Sequence, residues 1–198
     1  MTTGDKTYFI RDDYVHRNEQ PKSTDPSEKI INSEKFQREV YQKARHLAEE
    51  NQYKKILDIG TGSGYKLMKY FSEYDTLGTD VSKTVQWLRN QYPDRHWTDS
   101  MNPINGYNLI ICADVIEHIV DPDQLLDMIE QCDAEMIVIS TVARDLNNKD
   151  LGPPKNLHHC REWTQQEFAK YIGSRFNIIE HYISSKKKRT QLIVATNR

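Results

Sequence analysis

Asp114, Glu117 and His118 stand in the stretch CADVIEHIVDP, directly after the apolar run Leu109, Ile110 and Ile111. Such a run reads as a buried strand, so three groups that resist desolvation fall where that strand should be ending. If a helical turn begins near Asp114, Glu117 and His118 follow at i+3 and i+4, and all three side chains share one face. Two carboxylates and an imidazole are donors that suit Mg²⁺, Mn²⁺ or a related divalent cation. A helix cap and a solvated surface pair, with no metal, is the other reading of Glu117 and His118.

A second stretch, KKILDIGTGSGYKL, ends a strand at Asp58 and Ile59, sets glycines at 60, 62 and 64, and starts a helix near Tyr65. Glycines at a strand-to-helix junction adopt backbone angles closed to other residues and let a ligand approach the N–H groups of the helix start. A nucleotide-like cofactor is implied. The spacing departs from the G-x-G-x-x-G of dinucleotide folds, and the Gly-Lys-Ser/Thr of a P-loop is absent. Asp80 then closes TLGTDV. A carboxylate at the tip of the second strand accepts both ribose hydroxyls of a nucleoside and disfavours a 2′-phosphate.

The elements that must hold these residues alternate. Phe36, Val40, Tyr41, Ala44, Leu47 and Ala48 fall at helical spacing and predict a helix over 34–51. KKILDIG, TLGTDV, a weak strand at HWTD, YNLIICADV and MIVIST are strand-like. Between them lie helices over 65–73, 84–91 and 123–131, the pattern of a parallel sheet covered on both faces. Thr164 to Glu167 reads as a capping box opening a helix to about Gly173. FNIIEHYISS and TQLIVATNR flank KKKR with no room for a crossover, so they pair as an antiparallel hairpin. Residues 1–33, with Pro21 and Pro26, read as an irregular arm preceding one domain over 34–198.

Bulk properties exclude several classes. The 198 residues suit one domain, and 37% hydrophobic content with a net charge of −2 describes a protein whose overall field steers it to neither nucleic acid nor an anionic membrane. The one basic run, Lys186 to Arg189, reads as a solvated turn. The opening MTTGDKTYFIRDD lacks the apolar core of a signal peptide, and no stretch approaches the ~18 apolar residues of a membrane span, so a cytoplasmic location is expected. Cys112, Cys132 and Cys160 form neither a CxxC pair nor an even set and read as reduced, packed thiols. A homodimer is the expected assembly, on no particular residue.

DIGTGSG, the acidic tip Asp80 and the C-terminal hairpin together resemble the class I S-adenosylmethionine-dependent methyltransferases over roughly residues 34–198. The resemblance implies an α/β fold, a seven-stranded doubly wound Rossmann-like sheet with a C-terminal antiparallel hairpin, and S-adenosyl-L-methionine as cofactor. It puts Asp58, Gly60, Gly62 and Gly64 near the methionine part, Asp80 with Val81 at the ribose, Asp99 near the adenine, and Asp114 where cofactor and acceptor meet.

Asp114 to His118 is further similar to the acidic-x-x-Glu-His segment of ubiquinone-pathway O-methyltransferases and small-RNA 2′-O-methyltransferases, which implies a divalent metal held with a later histidine. The long segment STVARDLNNKDLGPPKNLHHCREWT resembles the STPxRD…GPPxNPxHxREW signature of small bacterial methyltransferases encoded with surface-polysaccharide and capsule genes. His159, Arg161, Glu162 and Trp163 match HxREW, so His159 rather than His158 is the implied fourth ligand beside Asp114, Glu117 and His118. Val142 and Leu157 stand where that group has prolines. DYVHR, Asp13 to Arg17, resembles the same group and is expected to fold over the acceptor.

The expected activity is metal-assisted O-methylation of a small-molecule acceptor: a sugar, a nucleotide-linked intermediate or a phosphorus-containing precursor of capsule or surface polysaccharide. Arg144 and Arg161 would suit an anionic acceptor, with packing as the other role for Arg161 and Trp163. Two other readings stay open: a metal-independent N-methyltransferase with His159 or His118 as general base, and a cofactor-binding module without catalysis. Neither nucleic acid nor a membrane is an expected partner.

Overall fold

The computed structural model describes residues 35–147 and 154–198. The N-terminal arm, with DYVHR, and part of the long connection after Ser140 lie outside the described residues. Seven strands form one sheet: β1 (Lys55–Ile59), β2 (Asp75–Thr79), β3 (His96–Thr98), β4 (Leu109–Ala113), β5 (Met136–Val142), β6 (Asn177–Ser185) and β7 (Thr190–Thr196). Their order is β3-β2-β1-β4-β5-β7-β6. Strands β1 to β5 are parallel, and β7 runs antiparallel to both β5 and β6. This is the doubly wound α/β sheet with a terminal hairpin that the alternation of elements implies.

Among the described residues six helices accompany it: α1 (Arg38–Glu50), α2 (Tyr65–Phe71), α3 (Ser82–Gln91), α4 (Pro122–Glu130), the short α5 (Arg144–Asn147) and α6 (Gln165–Gly173), with a 3-10 turn at Ile116–His118. Apolar residues on both faces of the central strands explain why helices cover both. Ile56, Ile111, Val138 and Val194 pack with α1, α2 and α3, whereas Leu57, Ile110, Ile139 and Ile193 pack with α4 and α6. Each fully buried aliphatic side chain contributes roughly 1.5–3 kcal/mol. The layering therefore follows from which parity of residue faces which helices.

Boundaries differ from expectation where a local interaction competes. Helix α1 starts at Arg38 rather than residue 34 because Gln37 sits at φ 60, outside helical geometry, and spends its side-chain amide on the Ala113 carbonyl at 2.8 Å. Helix α4 opens one residue early, on Pro122 at its first position, with the Asp121 carboxylate accepting from Asp123 N–H at 3.2 Å. Strand β6, the free edge, carries register shifts at Ile178/Glu180 and Ile183/Ser185, and Lys43 of α1 reaches across to Glu180 at 2.7 Å. Cys112, Cys132 and Cys160 are buried free thiols. Among the described residues no helix is long and apolar enough to cross a membrane.

The capping box forms as read: Thr164 Oγ1 accepts from Glu167 N–H at 3.2 Å, and Glu167 Oε2 accepts from Thr164 N–H at 2.8 Å. Replacing Thr164 with alanine should lower the unfolding free energy by about 1 kcal/mol in urea denaturation, with an unchanged m-value.

Candidate active site

The parallel strands bring their carboxyl ends to one edge, and the chemically notable residues follow those ends in turn. Asp58, the one acidic residue in β1, is fully buried. Its carboxylate accepts from the Tyr41 hydroxyl at 2.9 Å and from Thr61 Oγ1 at 2.7 Å. Lys66, itself buried, places Nζ 5.4 Å from the centre of the Tyr41 ring. Burial pushes the Asp58 carboxyl up to about 6, against the opposing pull of the Thr61 and Tyr41 hydrogen bonds and the Lys66 charge.

The glycine loop returns across β2: Gly60 and Thr61 N–H both donate to the Thr79 carbonyl, at 2.8 and 3.0 Å. Gly60, at φ 71, is pressed so close to the segment after β4 that an added Cβ would stand 2.3 Å from Val115 Cγ2. Gly62, at φ 58, is different, since nothing lies within 4 Å of where its Cβ would be. The loop is therefore tight against the protein at one glycine and open at the next. Asp80 binds this open stretch, accepting from Gly62 N–H and Val81 N–H, each at 2.8 Å. A carboxylate has about four acceptor positions, so two remain for hydroxyls. Asp99, exposed after β3, accepts from Ser82 Oγ at 2.6 Å, which holds its carboxyl below the ordinary range.

The segment after β4 departs from the expected helical turn. Asp114 adopts φ 53, and the 3-10 turn begins only at Ile116. A left-handed residue cannot open a right-handed turn, so Asp114 stands outside the turn that carries Glu117 and His118, though its charge still bears on Glu117. Instead its N–H donates to the Ser140 carbonyl at 3.1 Å, and its Oδ1 accepts from Ser140 Oγ at 2.6 Å. Burial raises its carboxyl above the ordinary range.

Glu117, 1% exposed, turns inward, where its Oε2 accepts from Thr141 Oγ1 of β5 at 3.0 Å. Burial, and then the neighbouring Asp114 charge, push its carboxyl well above the ordinary range. His118 Nδ1 lies 2.6 Å from the His158 carbonyl, which can only accept, so the ring proton belongs on Nδ1 and Nε2 keeps a lone pair. His159 repeats the arrangement: Nδ1 meets the buried Glu162 carboxylate at 2.7 Å, and Asn156 Nδ2 lies 2.9 Å from Nε2. The two rings stand 4.9 Å apart, nearly perpendicular. Glu117, His118 and His159 each offer one donor atom, all within 4.8 Å of one another. The structure thus brings three of the four expected ligands together, with Asp114 held to Ser140 through one carboxylate oxygen beside them.

Sequence reasoning missed four supporting residues: Ser140, Thr141, Asn156 and Glu162 in a ligand-orienting role. All four fall on lettered positions of the STPxRD…GPPxNPxHxREW signature, which gave them no role of their own. Arg161 is buried, donates to the Val120 carbonyl at 2.5 Å and lies 5.9 Å from the Trp163 ring, which stacks on Tyr171 at 5.8 Å. Both residues belong to the packing behind the site, so Arg161 presents no open clamp to an acceptor.

A model of a family described as methyltransferase domain matches residues 33–188. The chain belongs to that family. It is a class I S-adenosylmethionine-dependent methyltransferase of unspecified substrate. A comparison with curated proteins finds no match. Among solved structures, this methyltransferase is similar to magnesium protoporphyrin IX methyltransferase from Synechocystis PCC 6803, solved with bound SAH, at 14% identity and TM-score 0.64 over 90% of both chains. A methyltransferase from Clostridium acetobutylicum matches at 14% identity and TM-score 0.64 over 86% of this chain and 95% of its own. The methyltransferase domain of bacterial CtHen1-CN matches at 19% identity and TM-score 0.60 over 81% and 99%. Likenesses at these identities show the fold.

Asp58 makes stability depend on pH in a stated direction. Its carboxyl rises from 3.8 to about 6 on folding, so between those values the folded chain binds more protons than the unfolded one, and stability falls as pH rises through that window. Urea melts should show the unmodified methyltransferase losing about 2 kcal/mol relative to Asp58→Asn between pH 4 and pH 6.5, at about 1.36 kcal/mol per unit. A constant difference between the two chains across that range would refute this assignment.

Proposed function

We propose that this methyltransferase performs divalent-metal-assisted O-methylation of a small molecule: a sugar, a nucleotide-linked intermediate or a phosphorus-containing precursor of capsule or surface polysaccharide. One observation carries the reading, the convergence of the Glu117, His118 and His159 donor atoms within 4.8 Å. Both imidazoles have Nδ1 engaged, by a carbonyl and by Glu162, so Nε2 is the atom each would turn to a cation, which at His159 would displace the Asn156 amide. A carboxylate on the far nitrogen of a ligating histidine fixes its tautomer and raises its basicity. Glu117, buried beside Asp114, is a carboxylate whose charge a bound cation would stabilise. Two imidazoles and one carboxylate favour Mn²⁺ over Mg²⁺, which prefers an all-oxygen shell. When bound, such a cation lowers the pKa of a coordinated hydroxyl and orients its oxygen.

S-adenosyl-L-methionine supplies an activated methyl group, so the chain has mainly to align donor and acceptor. Asp80 and Val81 would hold the ribose side, Asp99 the adenine side, and Asp58 with Gly60, Gly62 and Gly64 the methionine side. The open face at Gly62 and the spare acceptor positions of Asp80 fit that role. Asp114, held to Ser140 at the end of β4, would border the transferred methyl.

The His159–Glu162 pair also favours a second reading, in which His159 is a general base and an amine acceptor is methylated without metal. Calorimetry and Mn²⁺ electron paramagnetic resonance separate the two. The unmodified chain should bind Mn²⁺, and Glu117→Ala and His159→Ala should weaken that binding at least tenfold while leaving SAH affinity within threefold. Equal Mn²⁺ binding by all three chains rejects the metal reading. Methyl transfer that survives exhaustive chelation selects the amine reading.

A further inference from the structure

Strand β7 pairs antiparallel with β5, matching Thr190 to Val142. The β6–β7 turn, Lys186 to Arg189, therefore lies at the carboxyl end of β5, on the same edge as the glycine loop and the Glu117, His118 and His159 group. Ala143 N–H donates to the Arg189 carbonyl at 2.6 Å, directly before Arg144. On its other side the turn reaches the start of α1, where Lys188 Nζ stands 4.0 Å from the centre of the Phe36 ring. The next residue, Gln37, holds the Ala113 carbonyl at the end of β4. A continuous rim results, running from Ala113 through Gln37, Phe36, Lys188 and Arg189 to Ala143.

Four consecutive cations in a tight turn repel one another, and Arg189 sits at φ 58, a position glycine or asparagine takes more easily. The turn thus departs from what conformation alone favours. Lys186 and Lys187 are exposed, and among the described residues neither they nor Lys188 has a carboxylate at ion-pair distance. With a net charge of −2 over the whole chain and a screening length of about 8 Å at physiological salt, this positive field acts only at the mouth of the site.

We propose that the turn Lys186–Arg189 recognises the phosphate of a phosphate-bearing small-molecule acceptor and holds it at the carboxyl edge of the sheet. This rests on the reading of that edge as the acceptor site and narrows the acceptor to an anion. Lysine ammonium groups bind phosphate oxygens by charge-assisted hydrogen bonds, and two flexible stems adapt to one or two phosphates.

The test uses the full chain saturated with SAH, in EDTA, and titrates inorganic diphosphate, UDP-glucose and uridine by calorimetry. UDP-glucose should bind more tightly than diphosphate, uridine should bind at least tenfold more weakly, and Lys186→Ser/Lys187→Ser should weaken UDP-glucose binding at least fivefold. Lys186→Arg/Lys187→Arg should retain it. Lys170→Ser, at an exposed lysine in the last turn of α6, should bind UDP-glucose as the unmodified chain does, and the EDTA keeps the result independent of the metal reading. Equal UDP-glucose affinity in the serine variant overturns the proposal. Tighter binding of diphosphate than of UDP-glucose identifies a site for the free anion and also overturns it, as does tighter binding of a 12-nucleotide RNA.

Discussion

The end of β4 is fastened to β5 by Ser140, whose carbonyl and hydroxyl accept from the Asp114 N–H while the hydroxyl donates to the Asp114 carboxylate. That clasp holds Asp114 in a left-handed conformation, and the backbone reversal it creates sends the chain into the 3-10 turn rather than outward. Glu117 consequently points beneath β5, where Thr141, the residue after Ser140, meets its carboxylate. The Glu117 carbonyl then receives the Cys160 N–H at 2.8 Å, which draws the segment carrying His158 and His159 against the turn. Removing the clasp would leave the donor set without a scaffold, because each later contact presumes the direction it imposes.

The carboxyl edge gathers acids that the fold itself does not neutralise. Asp58, Asp114 and Glu117 are all raised by burial, and the hydroxyls of Tyr41, Thr61, Ser140 and Thr141 only moderate that cost. Lys66 is the buried cation nearest to two of them, and its own ammonium is disfavoured by desolvation. Proteins retain such arrangements where ligands complete them, since an apolar packing of the same volume is often at least as stable. These buried acids and the positive turn share the carboxyl edge of the sheet.

Much of this was legible beforehand, for physical reasons. Parity along β1, β4 and β5 announces a sheet apolar on both faces, and the crossover lengths demand parallel strands. The hairpin follows from the short KKKR connection, and the glycine loop from backbone demands that no other residue meets cheaply. The site was legible as a set of residues and illegible as a geometry. Nothing local distinguishes Asp114 as left-handed, because the Ser140 clasp comes from another strand. For the same reason the start of α1 was misplaced by Gln37, whose amide answers to Ala113. Arg161 reads from sequence as either an anion contact or packing, and its burial beside Trp163 favours the second, whereas the basic turn reads as merely solvated until strand register sets it on the carboxyl edge.

The outermost strand is interrupted twice. Where β6 slips register at Ile179 and again at Ser184, its free N–H and C=O groups no longer present the evenly spaced row that another strand could zip onto. The molecule therefore resists growing by strand addition into fibres, even though half-exposed Ile179 and Tyr182 make this margin sticky.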